Sequence, residues 1–343
     1  MAVATTTSQP VGTRPRGDYL ASRQRRLAML LLLPTFILLV VVAFYPLART
    51  FSASFTDEPF AKPDVPVNNV GLANYQRLLS VQIIELKEGQ RLAEVVPGYR
   101  RVENFDFLGR RLTLVATDPD WIRSIYNTVV FTVISVALEL LIGLGIALVV
   151  NSRFKGRGLM RAIMLVPWAI PTAISTVLWR HMLGDNTSHA MNAIFVGLGI
   201  FESPIAWRAS QPLLSVILVD VWKTVPFMAL LLLAGLQTIS SDLYEAGAVD
   251  GATGLQRFTR ITLPLLMPTI IITLIFRTLD ALRAFDVFQV LLGRSTPSMA
   301  VYNYEKLVSS YQYGYASATG VLIFILIFAF TILYMSLFNV EAE

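Results

Sequence analysis

Long apolar runs alternate with shorter polar segments along most of this chain. The first run, residues 27–47, is long enough to cross roughly 30 Å of hydrocarbon as a helix that rises about 1.5 Å per residue. Five further runs cover residues 125–150, 159–182, 213–236, 265–292 and 318–338. The pattern therefore predicts an all-α integral membrane protein with six transmembrane helices.

The N-terminal apolar run has two interpretations. Ser52, Ala53 and Ser54 follow it and could form the small-residue cleavage site of a signal peptide. The run is longer than the core of about 7–15 residues that is typical of such signals, which favours a retained helix. We therefore expect a cytoplasmic tail over residues 1–26 and a first transmembrane helix over residues 27–48.

The polar segment of residues 49–120 contains several prolines and a mixture of alternating and charged stretches. We expect it to form an extracytoplasmic loop or cap with some strand or helix between the first two spans. Its arginines do not contradict this side, because long loops are largely exempt from the positive-inside rule.

Composition and charge agree with a membrane protein. Hydrophobic residues make up 55% of the chain and charged residues only 15%, against about 25% in soluble domains. The short loop of residues 151–161, the N-terminal tail and the pair Arg257 and Arg260 place basic side chains on one side, which is then the cytoplasm. Both termini, including the tail of residues 339–343, are expected there. The positive charge is spread over loops, which indicates topology rather than nucleic-acid binding.

One polar segment, residues 242–264, carries two helix signatures between apolar runs. Asp242 and Glu245 predict a capping box for a first short helix, and Gly251 stands where that helix would end. Thr253 and Gln256 predict a second capping box.

The second short helix is expected to end near Pro264. Arg257 and Arg260 would then lie in its last turn, at the negative end of the helix dipole. Small residues such as Ala246 and Gly247 would let another surface approach the backbone closely. Local chemistry alone fits a tightly packed cytoplasmic loop equally well.

The sequence lacks several common catalytic motifs. There is no Gly-Lys dipeptide and hence no Walker-type phosphate loop, no Gly-x-Ser-x-Gly elbow and no cysteine. The two histidines, His181 and His189, do not have the spacing of a helical metal motif. If transport requires ATP, another polypeptide hydrolyses it.

Charges inside the apolar runs are candidates for function because an ionisable group in a bilayer is costly. The fifth run carries four at three-residue spacing, which would let neighbours on one helix neutralise one another: Arg277, Asp280, Arg283 and Asp286. Asp220 and Lys223 flank Trp222 in the fourth run, and Glu139 stands alone in the second. These groups either lock the bundle as ion pairs or line a polar path, with Glu139 as a candidate proton relay.

The spacing of the polar segment resembles a family signature. Glu245-Ala246, then Gly251, nine residues, and Ile261-x-Leu263-Pro264 is similar to the coupling loop of bacterial ABC importer permeases. The family pattern has Ala where this chain has Gly247, which keeps a small residue. Residues 237–264 are accordingly called the coupling loop below.

Two further stretches carry the same resemblance. Residues 277–291, RTLDALRAFDVFQVL, are similar to the fifth span of carbohydrate-importer permeases, in particular the first permease subunit of maltose, trehalose and glycerol-phosphate importers. Residues 121–132, WIRSIYNTVVFT, resemble the start of the family core with its Asn-Thr pair. The family often has a glycine-rich turn and a proline after the fifth span, whereas this chain keeps only Gly293 and Pro297.

The resemblance implies a five-helix permease core over residues 121–338 and a sugar as solute: maltose, trehalose or a related oligosaccharide. It implies a second homologous permease subunit, two ATPase subunits that bind ATP and Mg, and an extracytoplasmic binding protein. This chain would hold no cofactor, no metal and no catalytic residue, and would bind no nucleic acid. The implied ATPase-coupling residues are Glu245, Ala246, Gly247, Asp250, Gly251, Ile261, Leu263 and Pro264. The candidate solute-path residues are Trp222, Asp280, Arg283, Phe285, Asp286 and Phe288.

Two other classes of function remain as alternatives. An ion-driven secondary transporter could use Glu139 or the Asp280 and Asp286 pair, although no clear repeat relates the two halves of the chain. An intramembrane enzyme would need a nucleophile with a base or a metal set, and the sequence offers neither.

Overall fold

The computed structural model describes residues 16–86, 90–107, 110–152 and 154–337. Five of the helices in these ranges are long and apolar enough to cross a membrane: Gln24–Ala53, Pro119–Asn151, Pro212–Gln237, Gly254–Leu282 and Tyr313–Ser336. A bent pair, Arg157–Ala169 and Thr172–Met182, makes a sixth if it is one span. The predicted count of six agrees with this arrangement.

The described part of the N-terminal unit, from Arg16 to Ser52, is helical throughout. It consists of an α-helix over Arg16–Leu39, a π-helical turn over Val40–Phe44 and an α-helix that begins at Tyr45 and ends at Ala53. The predicted tail of residues 1–26 lies outside the described residues up to position 15, and from Arg16 on it is helical. The second unit contains the rest of the chain.

The predicted third span is broken by proline. The helix Arg157–Ala169 and the helix Thr172–Met182 meet at an angle of 88° around Ile170 and Pro171. Proline disfavours the α conformation of the residue before it, and Ile170 is extended with ψ of 131°. The break is thus at Pro171, whereas Pro167 and Pro226 each lie inside a helix.

The segment between the first two spans folds as a small mixed cap. Strands Val81–Glu85, Arg110–Ala116 and Arg100–Phe107 form an antiparallel sheet with Arg110–Ala116 in the centre. Two short helices, Ala73–Leu79 and Leu92–Val95, belong to the same segment. The cap thus has both of the secondary structures that were expected there.

The second and fourth spans pack closely because a glycine faces the partner helix. A Cβ atom built on Gly143 would lie 2.9 Å from Cγ of Met228 and 3.3 Å from the backbone nitrogen of Ala229. Such a contact is possible only without a side chain, as is common between helices in membranes. Ala147, one helical turn later, is fully buried as well.

The Asn-Thr pair of the second span forms hydrogen bonds with the segment that follows the fifth span. Asn127 donates from Nδ2 to the carbonyl oxygen of Pro297 at 3.0 Å, and the amide of Met299 donates to Oγ1 of Thr128 at 2.9 Å. These bonds join residues about 170 positions apart. The other helical elements of the described residues, outside the coupling loop, are Ala190–Gly197, Trp207–Ser210, Asp286–Leu291, Met299–Tyr304 and a π-helical turn over Glu305–Ser309.

A buried carboxylate caps the second span. Asp118 is fully buried, and its Oδ2 accepts from the hydroxyl of Tyr302 at 2.6 Å and of Tyr315 at 2.9 Å. The ammonium of Lys306 lies 3.3 Å from the same oxygen, while the amide of Trp121 donates to Oδ1 at 3.4 Å. We call Asp118, Tyr302, Tyr315 and Lys306 the Asp118 cluster.

Candidate translocation cavity and coupling loop

The first helix of the coupling loop covers Ser241–Val249 and begins two residues earlier than the sequence predicted. Ser240 is its N-cap, with extended backbone and a hydroxyl that accepts from the amide of Asp242 at 3.3 Å. The prediction that Asp242 caps this helix is wrong, because Asp242 already has helical geometry and lies in the first turn. The capping box with Glu245 therefore does not form.

The end of this helix is where the sequence placed it. Gly251 has a φ of +78°, and the amide of Ala252 donates to the carbonyl of Gly247 at 2.8 Å. This is the backbone pattern of a helix that ends in a left-handed residue. A Cβ atom on Gly251 would meet no atom within 4 Å, so the turn needs glycine for its backbone conformation and not for space.

The second helix of the coupling loop begins as predicted but does not end at Pro264. Thr253 and Gln256 form the expected reciprocal capping box. The helix Gly254–Arg257 then continues through a π-helical turn, Phe258–Thr262, into the α-helix Leu263–Leu282. Pro264 is the second residue of that last helix, which directly follows the π-helical turn.

This continuity corrects the dipole argument as well. Arg257 and Arg260 lie inside a continuous helical segment and not in a last turn, so they do not neutralise a helix end. The second helix of the coupling loop is instead the beginning of the fifth span.

Two side-chain contacts join the halves of the coupling loop. The hydroxyl of Tyr244 lies 3.0 Å from Oγ1 of Thr262, and a Cβ atom on Gly247 would lie 3.2 Å from Cδ1 of Ile261. Glycine at the position where the family has alanine therefore gives Ile261 room. The helix Ser241–Val249 is thus held against the start of the fifth span.

The exposed side of the coupling loop contains most of the implied coupling residues. Glu245, Ala246, Asp250, Gly251 and Pro264 are exposed, whereas Gly247, Ile261 and Leu263 are half-buried inside the unit. Val249 and Leu255, which sequence reasoning did not single out, expose 88% and 73% of their surface. Exposed apolar side chains of this kind indicate contact with a partner. The signal in the sequence is an apolar residue next to each end of the polar turn around Gly251.

A buried arginine joins three carboxylates from three helices. Arg277 donates from Nε to Oε2 of Glu139 at 2.5 Å and from Nη2 to Oε1 of the same residue at 2.9 Å. Its Nη2 also contacts Asp220, and its Nη1 donates to Oδ2 of Asp280 at 3.1 Å. We call these four residues the Arg277 cluster. Glu139 is paired, which corrects the interpretation of it as a lone charge.

A cavity of about 470 Å³ opens beside this cluster. The polar residues that line it are Thr172, Asp220, Lys223, Thr224, Arg277, Asp280, Arg283 and Asp286, and Trp168 and Phe285 are its aromatic residues. The ammonium of Lys223 donates to the carbonyl oxygens of Trp168 at 3.2 Å and of Ile170 at 2.5 Å, the backbone acceptors left free where the third span breaks. Irregular backbone at membrane depth is tolerated where it lines such a cavity.

Four of the six candidate solute-path residues line this cavity and two do not. Asp280, Arg283, Phe285 and Asp286 are brought together. Phe288 is fully buried and packs edge-on against Phe131 with ring centroids 5.0 Å apart. Trp222 points elsewhere and packs edge-on against Trp179.

The comparison with known families decides what kind of protein carries this cavity. Residues 139–339 match the family described as binding-protein-dependent transport system inner membrane component. The chain belongs to this family. The permease is thus a multi-pass membrane protein of an ABC importer, and the predicted class of transport component, not enzyme, is confirmed.

Several named relatives match this permease over most of their length. The trehalose/maltose transport system permease protein of Thermococcus litoralis is 38% identical over 322 residues, 91% of this chain and 94% of the relative. The trehalose transport system permease protein of Mycobacterium tuberculosis is 31% identical, with 93% and 91% covered. The sulfoquinovosyl glycerol transport system permease protein of Agrobacterium fabrum is 34% identical, with 92% of each chain covered.

A solved structure shares the fold of this permease. A chain from the crystal structure of a bacterial ABC transporter involved in alginate import aligns with a TM-score of 0.70 at 20% identity. The alignment covers 95% of the permease and 99% of that chain. At this identity the likeness supports the architecture alone.

The structure corrects one further prediction, the length of the fifth span. The helix ends at Leu282, Arg283 to Phe285 form a turn, and a separate helix, Asp286–Leu291, begins there. The predicted helix of residues 265–292 was therefore too long. The four charges at three-residue spacing do not share one helix, and Arg277 pairs with Glu139 and Asp220 as well as Asp280.

Proposed function

We propose that this permease imports a sugar, namely trehalose, maltose or a related oligosaccharide. The relatives from Thermococcus litoralis and Mycobacterium tuberculosis, whose names specify these sugars, match more than nine-tenths of the chain. The lining of the cavity supports a polyhydroxyl solute. Asp280 and Asp286 can accept hydrogen bonds from hydroxyls, Arg283 can donate, and Phe285 offers an apolar face to a sugar ring.

The coupling loop carries the mechanistic part of the proposal. Its helix Ser241–Val249 presents small residues together with the exposed Val249, and it contacts the start of the fifth span through Tyr244 and Gly247. A rigid, partly apolar element suits a groove in a separate ATPase subunit, which binds the ATP and Mg. Closure of two such ATPase subunits would move the loop and switch the cavity between its two sides.

The same proposal fixes the partners and the orientation. A second, homologous permease subunit completes the path, and a binding protein delivers the sugar from the other side. The coupling loop and both termini lie in the cytoplasm, and the mixed cap of residues 49–120 lies outside. The basic short loops support this orientation.

Loss of coupling should be visible without loss of the protein. In Gly251→Asp the new side chain has room and aspartate tolerates a positive φ, so the fold should survive. We expect normal membrane levels and at least about tenfold slower uptake of labelled trehalose or maltose by the complete importer. Gly98→Asp is the matched control, because Gly98 also has a positive φ, of +84°, and open space. Normal uptake by Gly251→Asp would contradict the coupling role.

The energy source separates this function from an ion-driven transporter. Glu139, the residue proposed as a relay for that alternative, is bound to Arg277 through two oxygens. We expect uptake to persist when a protonophore removes the ion gradients while ATP is maintained. Uptake that collapses under this treatment would favour the ion-driven transporter.

A further inference from the structure

The Arg277 cluster crosses three spans at one point. Glu139 belongs to the second span, Asp220 to the fourth, and Arg277 with Asp280 to the fifth. The side chains of Glu139 and Arg277 are 0% and 4% exposed, and that of Asp220 is 13% exposed. Buried side chains in ion pairs of this kind hold their helices in one relative position.

The chemistry of the contact requires a guanidinium. Three nitrogens of Arg277 serve three carboxylates, and two of those nitrogens form a fork on Glu139. A planar group with five donors in fixed directions can do this, whereas an ammonium is a point charge. The partners of Arg277 thus fix its orientation at the wall of the cavity.

The helix that carries Arg277 is also the helix that leaves the coupling loop. It runs from Gly254 to Leu282 without an interruption other than the π-helical turn. Arg277 lies 23 positions beyond Gly254, which is about 35 Å at about 1.5 Å per residue. A displacement of the coupling loop is therefore carried along one helix to a residue that binds two other spans.

We propose that Arg277 transmits the movement of the coupling loop to the second and fourth spans, with Glu139 and Asp220 as the residues that position it. This inference rests on the proposed function, since it concerns how ATP hydrolysis on a partner becomes movement of the cavity wall. Arg277 acts through the helices that it joins and not as a ligand of the solute.

The test compares transport with ATP hydrolysis in the reconstituted importer. The triple variant Glu139→Gln, Asp220→Asn and Arg277→Gln removes all buried charge of the three spans and keeps groups that can hydrogen-bond one another. Neutral replacement of a whole buried ion cluster is often tolerated by the fold. We expect assembled complex in normal amount, ATP hydrolysis within about twofold of wild type, and at least about tenfold slower uptake of labelled trehalose and maltose.

A second variant keeps the test possible if the triple variant does not assemble. Arg277→Lys keeps the charge but not the fork, and should show the same loss of uptake per ATP hydrolysed. Glu94→Gln changes an exposed carboxylate in the cap and is the control for purification and reconstitution. It should show wild-type uptake per ATP hydrolysed.

Each outcome decides the inference. Uptake per ATP equal to wild type in the assembled triple variant, or in Arg277→Lys, overturns it. Uptake and hydrolysis that fall in parallel, or failure of both variants to assemble, make the cluster a requirement of folding and overturn it too. If the wild-type importer takes up neither sugar, the proposed solute is wrong; the loss of binding-protein-stimulated control over ATP hydrolysis in the variants still tests the transmission.

Discussion

Two clusters of buried charge hold this permease together, and they are built in opposite ways. In the Asp118 cluster one carboxylate receives two hydroxyls and an ammonium. In the Arg277 cluster one cation receives three carboxylates. In the first cluster several donors surround one negative charge, whereas in the second three negative charges depend on one cation.

The difference predicts how each cluster responds to damage. Removal of one donor from Asp118 leaves others in place, so the carboxylate stays partly satisfied. Removal of Arg277 leaves the fully buried Glu139 and the nearly buried Asp220 facing each other without a cation. Location adds to this, because Glu139, Asp220 and Arg277 lie within apolar spans, where unpaired charge is costly. The charged groups Asp118 and Lys306 lie outside the spans.

The largest expected effect is that of Arg277→Met. The loss of one partner from a buried ion cluster costs about 3–5 kcal/mol in free energy of unfolding. Lys306→Met in the other cluster should cost less, about 1.5–3 kcal/mol, because two hydroxyls remain on Asp118. Thermal unfolding of the detergent-solubilised protein measures both, and a larger loss for Lys306→Met would contradict the comparison.

Removal of one hydroxyl from the Asp118 cluster should have an intermediate effect. Tyr302→Phe keeps the ring, which packs on Trp121 at 5.5 Å between centroids, and deletes the bond of 2.6 Å to the carboxylate. A hydrogen bond to a charged group contributes about 1.5–3 kcal/mol. Tyr126→Phe, at an exposed tyrosine, is the control and should leave the unfolding midpoint unchanged.

Acid should weaken the Asp118 cluster only at low pH. Burial of Asp118 by itself favours the neutral form, but the hydroxyls of Tyr302 and Tyr315 and the charge of Lys306 outweigh it and lower the pKa below the ordinary value. The stabilisation is then complete above the ordinary pKa of about 4 and is lost as pH falls below it. The difference in unfolding midpoint between wild type and Asp118→Asn should be constant from neutral pH to roughly pH 5 and shrink below about pH 4. A difference that already shrinks near neutral pH would show that the carboxylate is not held ionised.

The smallest effect on stability should follow Asp280→Asn. Its side chain is 70% exposed, so its ion pair with Arg277 is the solvated arm of the cluster. Exposed ion pairs contribute about 0–1 kcal/mol, and the buried contacts to Glu139 and Asp220 remain. A loss as large as that of Arg277→Met would mean that this arm is as important to the fold as the buried ones.

Local patterns predicted the parts of the fold that depend on local physics. Hydropathy placed the apolar spans, and Gly251 marked the end of a helix in the coupling loop. Thr253 and Gln256 identified a capping box because both partners lie in one turn. Each of these signals acts over a few residues.

Contacts between distant residues could not be read in the same way. Glu139 and Arg277 are 138 positions apart, and the sequence offers Asp280 as an equally good partner of Arg277 within one turn. The end of the fifth span at Leu282 has no proline or glycine to mark it, so the apolar pattern continues past it. Ser240 and Asp242 are both good capping residues, and only the backbone conformation distinguishes them.

The π-helical turn over Phe258–Thr262 lies between the exposed surface of the coupling loop and the part of the same helix that lines the cavity. It sets the rotation of one surface about the helix axis relative to the other. Such a turn holds one residue more than regular α-helix, and deletion of that residue would rotate everything before it by about 100° relative to everything after it. A lineage could therefore re-aim the face offered to its motor subunit by gaining or losing a single codon here. The cavity wall downstream would keep its orientation.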